Sequence, residues 1–139
     1  MDNLRPQEDY EYFCNRVRLW ANYFGLHDWM ITTEFAELDE GISADNSSDP
    51  AGRISAIRLN KKMTSYALAN ADKRELVLDA SAFHEVMHTI ISELSTAANV
   101  GRPPYVTRPI EEAIVRRFVN CVHTELLRLW EAEKPTKNR

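Results

Sequence analysis

The sequence predicts one α+β domain. It is expected to hold an N-terminal helix, a small and mainly antiparallel sheet, and a helix with a His-Glu-x-x-His run packed against a C-terminal helix that bears a glutamate. Three observations predict this. Apolar and aromatic residues recur at three- and four-residue steps from Gln7 to Phe24 and again through the second half of the chain. Between these stretches, Trp29–Ala36 alternates at two-residue steps and is rich in β-branched and aromatic types. A length of 139 residues fits one hydrophobic core but not two. The domain is expected to span residues 1–139, with an ordered core over about 7–133.

Composition narrows the class. A hydrophobic fraction of 44% with 27% charged residues is that of an ordinary soluble globular protein. The net charge of −4 argues against a general nucleic-acid binder, which would carry a basic face. The small basic cluster Lys134, Lys137 and Arg139 follows Pro135 and reads as a solvated end. No apolar run is long enough for a membrane span, and Met1–Pro6 lacks the charged-then-apolar pattern of a secretory signal. Cys14 and Cys121 are far apart, form no CxxC pair, and sit among apolar residues in expected helices. Both are read as buried thiols, and a reducing cytoplasm fits best.

The first helix runs from Gln7 to Phe24 on a stripe of Tyr10, Phe13, Val17, Trp20 and Phe24, with Cys14 and Ala21 alongside. Pro6 opens it, Glu8 and Asp9 suit its first turn, and Gly25 closes it. The aromatic stripe is core packing rather than a cofactor box. In the following strand Trp29, Ile31, Thr33 and Phe35 share one side. Glu37–Gly52 carries Gly, Ser, Asn, Asp and Pro and reads as a long loop, mobile or functional. Arg53–Asn60 reads as a second strand, with Ile57 and Leu59 as its firmest apolar positions. Asp72-Lys73-Arg74-Glu75 has capping-box spacing and starts the next helix, which is expected to reach Ala98 and stop at Asn99-Val100-Gly101, with an interruption possible near Asp79. Gly101–Pro109 holds three prolines and forms a connection. The last helix runs from Pro109 or Ile110 to Glu133.

The chemistry is concentrated in His84-Glu85-Val86-Met87-His88. On a helix, two histidines four residues apart lie one turn apart on one face and supply half of a tetrahedral zinc site. With His84 at zero, His88 falls at roughly 40° and Glu85 at roughly 100° on the helical wheel, while Ala80, Met87, Ile91, Leu94 and Ala98 lie between about 280° and 340°. Both histidines therefore border the expected buried face, and Glu85 turns toward the rim, within reach of a metal-bound water. A lone histidine would read as an ordinary core or surface residue. Two at this spacing around a glutamate read as metal ligands.

A catalytic zinc has three protein ligands and one open position. The last helix offers Glu111 and Glu112. With Glu111 at zero, Ile114 lies at about 300°, Val115 at 40°, Phe118 at 340°, Val122 at 20° and Leu129 at 0°, so Glu111 takes the centre of the apolar face and Glu112 its edge. A carboxylate aimed at the core needs a partner, which zinc would supply. The plain alternative is a first-turn residue that complements the helix dipole. Glu111 is favoured over Glu112. His123, at about 120° on that wheel, and His27, after a helix stop, read as surface residues. His123 would matter only if the third ligand were a histidine.

With HExxH on one helix and a glutamate on the next, the chain resembles the gluzincin metallopeptidases, and among them the small ImmA/IrrE-type and phage-encoded members. Glu111-Glu112-Ala113-Ile114-Val115-Arg116-Arg117-Phe118 holds the place of the glutamate helix, although Ile114 and Val115 stand where alanine and Asn/Asp often follow the ligand. Phe24-Gly25-Leu26-His27-Asp28-Trp29-Met30-Ile31 is similar to the helix-to-strand passage of the phage members. The resemblance covers about residues 10–130. It implies a zincin-like fold and a zinc-dependent peptidase in which His84, His88 and Glu111 hold zinc and Glu85 is the general base. It also implies a peptide or protein substrate. The strand near Arg53–Leu59 is expected to pair with that peptide as the family's edge strand does, and Tyr105 is a candidate oxyanion donor. The competing readings are a non-catalytic zinc-stabilised binding module, disfavoured by the intact Glu85, and a SprT-like DNA-associated protease with a histidine ligand, disfavoured by the acidic charge and the register of His123.

Overall fold

A computed structural model describes residues 3–98 and 104–133. Helix α1 (Gln7–Tyr23) starts after the extended Pro6 and gives way to Gly25, whose φ of +70° suits a residue without a side chain. Phe13, Val17 and Trp20 point inward as the stripe requires, and Tyr10 stacks on Phe35 with ring centroids 5.0 Å apart. Asp9 does more than suit the first turn. It is fully buried and ion-paired to Arg5 and Arg74.

The strands are β1 (Met30–Ala36), β2 (Ala44–Asp49) and β3 (Ile54–Asn60), in the order β1-β3-β2. β1 runs parallel to β3, and β2 antiparallel to it, so the sheet is mixed rather than mainly antiparallel. The expected long loop 37–52 therefore contains a strand. The run Ala-Asp-Asn-Ser-Ser-Asp has little strand propensity of its own. It is held by its ladder to β3 and by side chains that bond to the helix behind it. β3 is central, flanked on both edges, and buries Ser55, Ile57 and Leu59 on one face.

After the sheet comes a short helix that the sequence reading missed, α2 (Ser65–Ala69), capped by Thr64 Oγ1, which accepts from the Ala67 amide at 3.1 Å. A 3₁₀ turn (Ala71–Lys73) leads into α3 (Arg74–Ala98), so Asp72 lies in that turn and does not cap α3. There is no interruption at Asp79. Its carboxylate is satisfied by side chains and does not compete for the helix backbone. Helix α4 (Pro104–Phe118) begins five residues earlier than the prolines suggested and carries an exposed Pro109 inside it. The expected stop at 99–101 lies outside the described residues. A π-helical segment (Val119–His123) joins α4 to α5 (Thr124–Glu133), in place of one uninterrupted last helix.

The core gathers Phe13, Val17 and Trp20 from α1, Ile57 and Leu59 from β3, Val115 from α4, and Leu78, Ala82, Phe83, Val86, Met87 and Ile91 from α3. Helix α3 is thus covered on most of its circumference, and its buried face is wider than expected and differently centred: Leu94 is exposed and Ala80 half-buried. His84 and His88 occupy the strip left open. Cys14 is half-buried, but Cys121, expected inside, is exposed on the π segment, and both are free thiols. No helix among the described residues is long and apolar enough to cross a membrane.

Candidate metal centre

On the unbroken α3 the two motif histidines face each other, Nε2 to Nε2 at 3.2 Å. Helix α4 crosses them, anchored by the fully buried Val115, and presents both glutamates to one imidazole. Glu112 Oε1 lies 3.0 Å from His84 Nε2, and its Oε2 lies 2.9 Å from His88 Nε2. Glu111 Oε1 meets the other nitrogen of the same ring, His88 Nδ1, at 2.8 Å. The metal-competent group is therefore His84, His88 and Glu112, whose donor atoms all lie within 4.8 Å of one another. Glu111, the expected ligand, instead orients His88.

The reversal of the two glutamates has a physical cause. Val115 is buried, whereas Ile114 and Phe118 are 37% and 41% exposed. The buried face of α4 is therefore centred between Val115 and Glu112, roughly 70° away from the face inferred from hydrophobicity alone. That rotation moves Glu112 over the histidines and Glu111 to the side.

A cation fits this donor set. Accepting the His88 Nδ1 proton, Glu111 leaves Nε2 with a lone pair directed at His84 and Glu112, the carboxylate–histidine arrangement that serves metals. His84 Nε2 and the Glu112 carboxylate complete a set of two imidazole nitrogens and a carboxylate gathered at one place. Around a tetrahedral ion with bonds of roughly 2.0–2.1 Å, neighbouring donors stand about 3.3 Å apart. The two Nε2 atoms stand 3.2 Å apart, close to such an edge, and the Glu112 carboxylate sets one oxygen against each of them, at 3.0 and 2.9 Å.

The protonation tendencies follow from the packing. Burial lowers the His84 pKa. Burial also opposes charge on His88, but its bond to Glu111 and the nearby Glu85 and Glu112 carboxylates outweigh that and raise its pKa. For Glu112, burial works toward a higher value, yet the two histidines and Arg116 hold it below the ordinary range. Glu85 is the extreme case. It is 6% exposed yet lines the cleft, and burial, helped by Glu112 and Asp45, pushes its pKa up to about 8. It faces the inside of the cleft floor rather than the rim.

The cleft, about 1800 Å³, runs between β2 and the α3–α4 pair. Its β2 wall is tied down by a polar network. Asn46 Nδ2 lies 2.8 Å from the Glu85 carbonyl and 2.9 Å from Thr89 Oγ1, Ser48 Oγ donates to Asn46 Oδ1 at 2.6 Å, and the buried Ser55 and Thr89 hydroxyls pair at 2.8 Å. These residues were not foreseen; the signal available was Thr89, a hydroxyl directly after the motif on a helix buried nearly all round. Because β3 is paired on both edges, it cannot receive a further strand, and the free edge that borders the cleft belongs to β2. Tyr105 stands 79% exposed on the first turn of α4, away from the cleft lining, and offers no oxyanion donor there.

His123 is not on the surface. It is 3% exposed, and its Nε2 contacts Asp79 Oδ2 at 2.7 Å. Asp79 also accepts from Trp20 Nε1 at 2.9 Å and from Arg16. The π turn explains the error: one extra residue per turn rotates everything after it by roughly −100°, bringing His123 from about 120° to about 20°. The same rotation turns Leu129 outward, to 47% exposure. His123 is thus committed to Asp79 and is not a third ligand. His27 is exposed, as expected.

Fold and site together define an α+β domain whose cleft floor carries a two-histidine, one-carboxylate cluster suited to a divalent metal. Comparison with protein-family models, with curated proteins and with solved structures finds no match.

Proposed function

We propose that this protein is a zinc-dependent peptidase of the minimal gluzincin type, with His84, His88 and Glu112 as ligands and Glu85 as general base. The observation that carries this reading is the convergence of those three donors beside a buried glutamate in an open cleft. Two imidazole nitrogens and one carboxylate as the donor set suit zinc better than the oxygen-preferring divalent ions. When bound, zinc supplies a Lewis acid that polarises a carbonyl and makes water a nucleophile near neutral pH.

The chain's own residues do the rest. Glu111 fixes the His88 tautomer from Nδ1, so that His88 presents Nε2 toward His84 Nε2. Glu85 takes a proton on its carboxylate and returns it to the leaving amine. Its buried setting raises its pKa, which makes the ionised carboxylate a stronger base and lets it hold the proton between the two transfers. The free edge of β2 offers backbone groups to an extended peptide, and Asn46 keeps that edge at a fixed distance from the Glu85 carbonyl.

The test joins metal analysis to turnover. The purified chain should hold about one zinc, His84→Ala or His88→Ala should lose it, and Glu85→Gln should keep it while losing roughly 10²–10⁴-fold in cleavage of a peptide library. Zinc retained by both histidine variants would end the metal assignment. A metal-loaded wild type that cleaves nothing would favour a zinc-stabilised binding module.

A further inference from the structure

Charge in the cleft is unevenly satisfied. Each acidic group lining it is already engaged: Asp45 by Arg58 at 2.9 Å, Glu111 by His88, Glu112 by both histidines, and Glu85 by burial. The basic groups are not. Lys73 and Arg108 line the same cleft, are exposed, and make no ion pair among the described residues. Arg116 touches Glu112 through Nε at 3.3 Å, while its side chain remains 71% exposed. Arg108, Glu112 and Arg116 succeed one another at four-residue spacing on α4, which places a guanidinium about one turn to either side of the metal-facing carboxylate. A guanidinium fork is shaped for a carboxylate, which it can bind with two parallel bonds.

From this we infer that the cleft selects peptides with an acidic residue next to the bond placed at the metal cluster, with Arg108 and Arg116 as the specificity-determining residues. The inference takes the peptide nature of the ligand from the proposed peptidase function. A nucleic-acid ligand is disfavoured by the net charge of −4 and by the strand edge along the cleft, which fits a peptide backbone.

The experiment uses the full zinc-loaded chain carrying Glu85→Gln and two fluorescein-labelled, C-amidated peptides of about eight residues that differ only in two central positions, glutamate in one and glutamine in the other. Two or three exposed charge contacts should make the acidic peptide bind roughly 10-fold more tightly by fluorescence anisotropy, a preference that shrinks as salt is raised. Arg108→Gln/Arg116→Gln, compared at saturating zinc, should bring the two affinities within about 2-fold while leaving the circular dichroism spectrum unchanged. Absence of binding, equal binding, or a preference that survives the double substitution overturns the inference. So does displacement of the acidic peptide by a single-stranded oligothymidylate at lower concentration. Turnover is scored separately with wild type. Equal cleavage of both peptides removes the acidic preference but keeps the peptidase, whereas arginine-dependent binding without cleavage removes the peptidase and keeps the acidic-peptide site.

Discussion

Replacing each of the two adjacent glutamates by glutamine separates a ligand from the residue that orients one. Glu112 places one oxygen on each histidine Nε2, at 3.0 and 2.9 Å, so Glu112→Gln removes a charged donor from the cluster itself. Structural zinc sites with four ligands bind with roughly 10–16 kcal/mol, or about 2.5–4 kcal/mol per ligand, which translates to a loss of roughly 10²–10³-fold in affinity. Glu111 makes one contact, at 2.8 Å, to the far nitrogen of His88. A glutamine there still offers a carbonyl oxygen to the Nδ1 proton, so the loss should fall at the lower end of the 10–100-fold range usual for residues that orient a ligand, about 10-fold. Glu111→Ala, which leaves Nδ1 without that acceptor, should fall nearer the upper end, roughly 100-fold. The assay is competition for zinc against a chromophoric chelator at constant pH. If Glu111→Gln weakens zinc more than Glu112→Gln does, the assignment of roles made from the rotation of α4 is wrong.

The same rotation predicts opposite outcomes for two neighbouring apolar residues. Val115→Ala should cost about 2 kcal/mol in urea unfolding, while Ile114→Ala should stay within about 0.5 kcal/mol, and equal losses would contradict the register. Asp79→Asn should destabilise by about 3–5 kcal/mol, because it leaves the buried Arg16 without its counter-charge. Burial works to raise the Asp79 pKa, but bonds from His123, Arg16 and Trp20 prevail and lower it below its unfolded value. Its contribution is therefore complete above the unfolded carboxylate pKa and is lost as pH falls through the depressed folded value. Denaturant midpoints measured down an acid series should drop there in wild type and lose that drop in Asp79→Asn. Asn46→Ala should cost about 1–3 kcal/mol and speed amide exchange in β2 well before β3, and uniform exchange across both strands would show that the network does not hold the edge.

How far the sequence could be read depended on whether hydrophobicity decided the outcome. Helix α1 and strand β1 were legible to within one residue, because Phe13, Val17 and Trp20 at helical steps and Ile31, Thr33 and Phe35 at alternate positions are dictated by burial on a single face. Strand β2 was illegible because its residues are polar and its order comes from tertiary bonds to Thr89 and Glu85. In the site, the placement of His84 and His88 on one face is local to one helix turn and was readable, whereas the burial of Glu85 was not. The choice between Glu111 and Glu112 depended on how α4 is rotated against α3, which Val115 decides and to which the exposed Ile114 and Phe118 contributed a misleading signal. His123 was misplaced because a π turn leaves no mark in hydrophobic periodicity until its partner is known. The hint was Asp79, a charge between Leu78 and Ala82 on a helix otherwise apolar there.

The two clusters that α3 carries are mechanically related. Five residues before His84, Asp79 holds His123, Trp20 and Arg16, and so ties the π segment and α1 to the helix that bears the motif. Helix α4 is thereby fixed to α3 at both ends of the stretch that matters: by Asp79–His123 after its last turn and by the glutamate–histidine contacts near its middle. A π turn costs backbone regularity and persists where something over-determines it. Here that something is the buried His123–Asp79 bond, which cannot form without the extra residue. The π turn lets a single helical run satisfy two demands at once: Glu112 over the histidines on the cleft side, and His123 in the core one π turn later. A straight helix would meet the first and leave Asp79 buried with one partner fewer. Pinning α4 in this way sets its rotation against α3, and that rotation brings the Glu112 carboxylate to both motif histidines.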